Sequence, residues 1–156
     1  MPSWSDFEVA APQLATAVRE RLDAHVHKTL ATLRRDGSPR ISGTEVRFNG
    51  GELWIGSMWR ARKALDLQRD PRFAIHSGSD DPPEWSGDTK LAGVSEEIAD
   101  RERVTEINGE AANDGASHLF RLDLREVSTV GLTDDRKTLV IEVWTPDAGV
   151  RRIERA

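Results

Sequence analysis

Residues 28–57 read KTLATLRRDGSPRISGTEVRFNGGELWIGS, and this stretch decides the fold class. Two turn signals, Asp36-Gly37-Ser38 and Asn49-Gly50-Gly51, separate three runs in which apolar and polar residues alternate. The runs predict strands over 28–35, 40–48 and 52–57. Three strands joined by tight turns make an antiparallel meander, which favours a barrel or a sandwich over a parallel sheet.

Helices are predicted on both sides of this meander. The spacing of Leu14, Val18 and Leu22 indicates an amphipathic helix over 12–24. A shorter helix is predicted over 60–69, because Pro71 prevents the chain from continuing it. Its buried side is expected to consist of Ala64, Leu65 and Leu67.

The rest of the chain is predicted to add four strands and one more helix. Asp100 is a suitable N-cap for a helix that reaches about Ala111, with Val104 and Ile107 facing inward. Asn113-Asp114-Gly115 would end that stretch, and residues 78–88 form a loop rich in proline and glycine. The strands are expected over 72–77, 89–98, 118–132 and 137–145.

Composition excludes several functional classes. The net charge of −5 and the pI of about 5.4 argue against a broad surface for nucleic acid or for an anionic membrane. Cysteine is absent, so disulfides, thiolate nucleophiles and thiolate metal sites are excluded. The N-terminus lacks the features of a signal peptide, and no apolar run is long enough to span a membrane. We therefore expect a soluble, cytoplasmic, single-domain protein.

One segment, residues 56–65 with the sequence GSMWRARKAL, carries the clearest chemical signal. Arg60, Arg62 and Lys63 crowd the start of a predicted helix, where the macrodipole is positive and cations are mildly unfavourable. A phosphate bound there would accept free backbone N–H groups and charge-assisted side-chain bonds together. The alternative is a solvated basic helix whose charges pair with Asp66 and Asp70.

Four motifs, taken together, resemble the pyridoxamine 5′-phosphate oxidase-like split barrels. They are the strand at Thr29, the Asp36-Gly37-Ser38 turn, the strand at 51–57, and the Arg62-Lys63 helix that ends at Asp70-Pro71. Among these barrels, the chain is most similar to the small actinobacterial members that use FMN or the 8-hydroxy-5-deazaflavin coenzyme. The resemblance implies a mainly β (α+β) fold, a six- to seven-stranded antiparallel split β-barrel with short peripheral helices, in a homodimer. It further implies one domain over 1–156, with the barrel at about 28–145 and a short C-terminal tail.

The resemblance also implies a set of cofactor-binding residues. Arg62 and Lys63 would bind the cofactor phosphate, and the backbone of the second strand would lie along the flavin ring. Gly43 suits that contact, since a missing side chain lets a flat ring approach, although a bulge or a barrel bend explains it equally well. The residues of the second strand are Ile41, Ser42, Gly43 and Thr44. The residues beside the phosphate are Ser57, Met58, Trp59 and Arg60. Lys90 and Trp144 would contribute from the barrel wall or from the partner subunit.

Arg60-Ala61 stands where many relatives have Gly-Ser, so a hydroxyl donor is replaced by a guanidinium that could reach a longer acidic cofactor tail.

The resemblance implies a flavin- or deazaflavin-dependent oxidoreductase that transfers hydride to or from a small organic substrate. No side chain is assigned a catalytic role, and the four histidines lack the spacing of a metal motif. The alternative is a non-catalytic barrel that carries a flavin or haem. Arg151-Arg152-Ile153 is interpreted as part of a frayed tail.

Overall fold

In the computed structural model, which describes residues 2–109 and 117–156, antiparallel strands form a single sheet and four short helices pack around it. The mainly β, antiparallel prediction is confirmed. In chain order the elements are α1 (Trp4–Ala10), α2 (Pro12–Asp23), β1 (Lys28–Leu33), β2 (Pro39–Thr44), β3 (Arg47–Asn49), β4 (Glu52–Met58), α3 (Arg62–Arg69), β5 (Arg72–His76), β6 (Gly87–Glu97), α4 (Arg101–Asn108), β7 (Ser117–Leu132), β8 (Leu139–Thr145) and β9 (Gly149–Arg155).

The order of the strands makes the sheet a split barrel. Seven strands follow the path β2-β1-β5-β6-β7-β4-β3, and β8 and β9 extend from β7 as a hairpin. β2 and β3 are the two ends of the path, yet only Glu45 and Val46 separate them in sequence. The sheet must therefore curl until its ends meet. Among the described residues no strand pairing closes this gap, so the barrel is split beside β2.

The predicted meander was wrong in one respect. The strand expected over 40–48 is two strands, of which β2 pairs with β1 and β3 pairs with β4. The chain crosses from one end of the sheet to the other at Glu45 and Val46. Alternation of apolar residues continues through Val46 and Phe48, which pack against the core, so periodicity could not reveal the change of partner.

The barrel core lies between the inner sheet face and the N-terminal helices. Leu30, Leu53 and Ile75 are buried from the strands, while Val18 and Leu22 are buried from α2. A second cluster on the outer side of β4 and β7 is covered by α4; it contains Trp54, Val104, Ile107 and Leu119. Burial of these side chains removes apolar surface from water and holds the curled sheet together.

α1 was not predicted, although its start carries a recognisable signal. The Ser3 hydroxyl accepts a hydrogen bond from the Asp6 amide, and the Asp6 carboxylate accepts one from the Ser3 amide, which forms a capping box. Trp4 packs edge-on against Phe7 and Phe48, with ring centroids 5.3 and 4.8 Å apart. α1 thus adds the buried side chains of Trp4 and Phe7 to the hydrophobic core.

The last strand corrects the predicted C-terminal tail. Residues 149–155 form β9, which pairs with β8 from Gly149 opposite Thr145 to Arg155 opposite Leu139. Arg151 and Arg152 therefore belong to an ordered edge strand. Its side chains are almost all exposed, so no apolar alternation marked it as a strand.

The Asp100 cap of α4 is confirmed, since its carboxylate accepts from the Glu102 amide. The inward positions of Val104 and Ile107 are confirmed too. α4 ends at Asn108 because Gly109 has φ of 89°, so the predicted continuation to about Ala111 was wrong. The stop expected at 113–115 lies outside the described residues. None of the helices in the described ranges is both long and apolar enough to cross a membrane.

Candidate functional site

The loop from β4 to α3 adopts a constrained backbone. Arg60 has φ of 57°, in the left-handed region that an α-helix excludes, so α3 begins at Arg62 and not at Arg60 as predicted. The Arg60 amide donates to Nε2 of His118 at 3.1 Å, and the Trp59 ring stacks on the His118 ring at a centroid distance of 4.6 Å. A histidine therefore supports the backbone that leads into α3.

The tautomer of His118 follows from its partners. Since Nε2 accepts from the Arg60 amide, the proton lies on Nδ1, which donates to Oε1 of Glu97 at 2.5 Å. Glu97 also accepts from Gln68 of α3 at 2.7 Å. Sequence reasoning missed this network, because its members are distant in the chain and His118 carries no motif.

The N-terminus of α3 is left open to a ligand. No side chain of the described residues caps it, and its first turn contains no acidic residue. Lys63 donates from Nζ to the carbonyl oxygen of Gly43 at 2.8 Å, so its ammonium group lies against β2 beside the split in the barrel. Burial lowers the pKa of Lys63, and the nearby Glu45 carboxylate only partly opposes this effect.

The contacts of the solvated-helix alternative are not formed. Asp66 accepts from Nε of Arg40 at 2.7 Å and from Nη2 of Arg69 at 3.1 Å, while Asp70 pairs with Arg72 at 2.6 Å. Within residues 2–109 and 117–156, no carboxylate forms an ion pair with Arg62. Both acidic residues expected to neutralise the start of α3 are thus engaged elsewhere.

Asp66 takes the buried position on α3 that was predicted for Leu65, whose side chain is exposed instead. Its burial would raise the pKa of the carboxyl group, but hydrogen bonds from Arg40, Thr32 and Arg69 outweigh burial and lower it. Asp66 is consequently a charged anchor that fixes the two arginine side chains.

The outer face of β2 is open at Gly43. The pairing of β1 with β2 is regular through Gly43 opposite Thr29, so the bulge that could explain this glycine is absent. A Cβ built at Gly43 would meet no atom within 4 Å. Ile41, on the same face, is 74% exposed, whereas Ser42 and Thr44 turn the other way and Thr44 is buried.

The other predicted site residues are dispersed. Met58 and Trp59 are exposed, and Ser57 is buried beneath them. Lys90 lies on the outer face of β6 and is aligned with Gly43 of β2 across β1 and β5. Three strand spacings, or about 14 Å, separate the two residues. Trp144 was placed wrongly: its side chain is 3% exposed and packs on Phe7 in the core, which leaves it no surface for a ligand.

Comparison with known proteins gives matches along most of the chain. The family model described as pyridoxamine 5′-phosphate oxidase matches residues 14–131. No protein among the curated proteins matches the chain.

Solved structures agree in fold at low sequence identity. A pyridoxamine 5′-phosphate oxidase-related, FMN-binding protein from Nostoc punctiforme is 15% identical with a TM-score of 0.62, over 94% of this chain and 96% of that one. A conserved hypothetical protein from Mycobacterium tuberculosis is 19% identical with a TM-score of 0.61, over 72% and 81%. ChuZ from Campylobacter jejuni is 14% identical with a TM-score of 0.70, over 91% and 63%.

Proposed function

The chain belongs to the pyridoxamine 5′-phosphate oxidase family, and on that basis we propose that it is a flavin-dependent oxidoreductase. In this proposal FMN, or an 8-hydroxy-5-deazaflavin coenzyme, binds with its phosphate at the N-terminus of α3 and its ring along the outer face of β2. The cofactor supplies the hydride chemistry, and the substrate is a small organic molecule.

One observation carries the proposal: among the described residues, no side chain caps the start of α3 and no carboxylate lies within ion-pair distance of Arg62 or Lys63. A cation at a helix N-terminus opposes the macrodipole by about 0.3–1 kcal/mol, so Arg62 and Lys63 do not stabilise the free helix. A phosphate at that position would accept from the free amides of the first turn and from both side chains. The residues present therefore fit the phosphate end of a flavin cofactor.

The chain's own residues bind and orient the cofactor. Lys63 is already held by the Gly43 carbonyl, so phosphate binding at Nζ needs little further loss of side-chain freedom. The open surface above Gly43 accommodates a flat ring. His118 accepts a hydrogen bond from the Arg60 amide, and in this proposal the exposed Arg60 side chain would contact the cofactor beside its phosphate.

The proposal includes a homodimer with the cofactor at the two-fold interface. Ile41, Met58 and Trp59 are exposed apolar side chains on the strands and loop around the proposed site, and a partner subunit would cover them. We expect sedimentation at micromolar concentration to give twice the mass of 17.4 kDa. A monomer with full cofactor occupancy would contradict this arrangement.

The decisive experiment combines a double substitution with cofactor titration. In Arg62→Ala, Lys63→Ala, losing two charge-assisted bonds of about 1.5–3 kcal/mol each should weaken FMN or deazaflavin binding at least tenfold. The melting temperature of the ligand-free protein should change little, because relief of the dipole conflict offsets the loss of the Lys63 hydrogen bond to the Gly43 carbonyl. Arg151→Ala, Arg155→Ala on β9 is the matched control and should retain wild-type affinity.

Two further results would argue against the proposal. Unchanged affinity of the α3 variant for both cofactors would remove the phosphate site. If the protein binds a flavin but stopped-flow mixing with reductants and candidate substrates yields no turnover, it is the non-catalytic carrier instead. The visible spectrum of the purified protein, with mass spectrometry of the released ligand, identifies which cofactor it holds.

A further inference from the structure

A second basic surface lies on the other side of α3. It is a cleft of about 820 Å³ between this helix and the turn that joins β1 to β2, and we call it the arginine cleft. Five arginines against two aspartates give it three net positive charges, in a chain whose net charge is −5. The lining residues are Arg34, Arg35, Asp36, Arg40, Arg62, Leu65, Asp66, Gln68 and Arg69.

Two of these arginines are held rigidly. Asp66 is 2% exposed and accepts from both Arg40 and Arg69. Nη2 of Arg69 also donates to the Leu33 carbonyl at 2.5 Å. The carboxylate thus orients the two guanidinium groups, while their remaining N–H donors stay available to a ligand. Such fixed donors lower the conformational cost of binding an anion.

Three other arginines in the cleft, Arg34, Arg35 and Arg62, form no ion pair among the described residues. Asp36 of the turn interacts electrostatically with Arg34 but accepts its hydrogen bonds from the amide and hydroxyl of Ser38, at 2.9 and 2.6 Å. Like charges gathered in one cleft repel each other, and a bound anion would remove that repulsion.

We infer that the arginine cleft binds a small, multiply charged anion with two or more phosphate or carboxylate groups. Arginine matches these groups because its planar fork donates two parallel hydrogen bonds to their oxygens. The lining contains a single apolar side chain, Leu65, which disfavours an apolar ligand. Arg62 borders both the arginine cleft and the proposed flavin site. The inference therefore rests on the proposed flavin site only in the case where the anion is an extension of the cofactor.

The first test uses inorganic tripolyphosphate without any flavin. By calorimetry at low salt, the wild-type protein should bind one tripolyphosphate per chain, at least tenfold more tightly than inorganic phosphate. Arg34→Gln, Arg35→Gln should lose at least tenfold in affinity, and both side chains are exposed, so the melting temperature should not change. Arg151→Gln, Arg155→Gln removes the same charge from exposed positions on β9 and should bind as wild type.

Absence of saturable binding would overturn the inference, and so would an equal loss of affinity in both double variants, which would indicate only the overall charge of the protein. Competition then separates the possible sources of the anion. Displacement of tripolyphosphate by FAD but not by FMN identifies a cofactor extension, and displacement by neither identifies a separate ligand. Displacement by FMN itself would mean that the cleft is the flavin phosphate site, which also overturns the inference. Failure of flavin binding alone leaves the tripolyphosphate result standing, so the two proposals fail separately.

Discussion

Substitution of Gly43 should change stability and cofactor affinity in opposite directions. Glycine within a strand is less favourable than alanine by about 0.5–1 kcal/mol, because it loses more backbone entropy on folding. An added Cβ meets no atom within 4 Å, and the strand pairing at this position is regular. Gly43→Ala should therefore stabilise the ligand-free protein by about that amount, measured by urea unfolding.

The same side chain would occupy the surface where the flavin ring is proposed to lie. Extra atoms in a close contact cost about 1–3 kcal/mol, which corresponds to a roughly 5- to 150-fold weaker Kd. Gly43→Val, whose side chain is larger, should show the greater loss when the flavin is titrated by fluorescence. Ala148→Val, on the exposed turn between β8 and β9, adds methyl groups outside the site and should keep the wild-type Kd.

Two outcomes would refute this reasoning. If Gly43→Val keeps the wild-type Kd, the outer face of β2 does not contact the ring. If Gly43→Ala destabilises the ligand-free protein, the glycine is required by the backbone and its openness has no bearing on a ligand.

The buried anchors of the site lead to two more predictions. Asp66→Asn should destabilise the protein by about 1.5–3 kcal/mol, because hydrogen bonds to a charged group are lost; equal denaturation midpoints would contradict this. Since the pKa of Asp66 is lowered in the folded state from 3.8, the stability it contributes is present above that value and lost as the pH falls through the folded pKa. Wild type should accordingly lose stability below about pH 4 more steeply than the variant. His118→Phe keeps a ring for Trp59 to stack on but leaves the Arg60 amide without its acceptor and Glu97 without its donor. The melting temperature should therefore fall, and flavin affinity, measured well below that temperature, should fall about tenfold. A melting shift without an affinity change would limit His118 to folding.

Local signals accounted for the elements whose ends are chemically marked. The Asp100 cap, the stop at Pro71 and the Asp36-Gly37-Ser38 turn each act within a few residues, so the sequence displays them directly. The crossing at Glu45 and Val46 depends on which strands pair across the barrel, and alternation is the same for either partner. β9 was missed because it is an exposed edge strand, for which pairing and not burial determines the structure.

The site shows the same division between local and distant information. The residue types at the start of α3 indicated an anion from the sequence alone, because the helix dipole is a local property. The contact that keeps Asp66 from pairing with Arg62 is distant in sequence: Asp66 accepts from Arg40, which lies 26 positions away. The support that His118 gives to Arg60 spans 58 positions and could not be anticipated from either segment.

α3 separates the two basic residues that the motif presents as a pair. Neighbouring residues on an α-helix point about 100° apart, so Arg62 and Lys63 do not face one surface. Lys63 is turned towards β2 and the Gly43 carbonyl, whereas Arg62 lines the arginine cleft with Arg69, seven positions on. A single phosphate can contact both side chains only on the helix axis, in front of the uncapped first turn. That position is also where the free backbone amides of the first turn point, so the proposed phosphate would accept from these amides and from both side chains there.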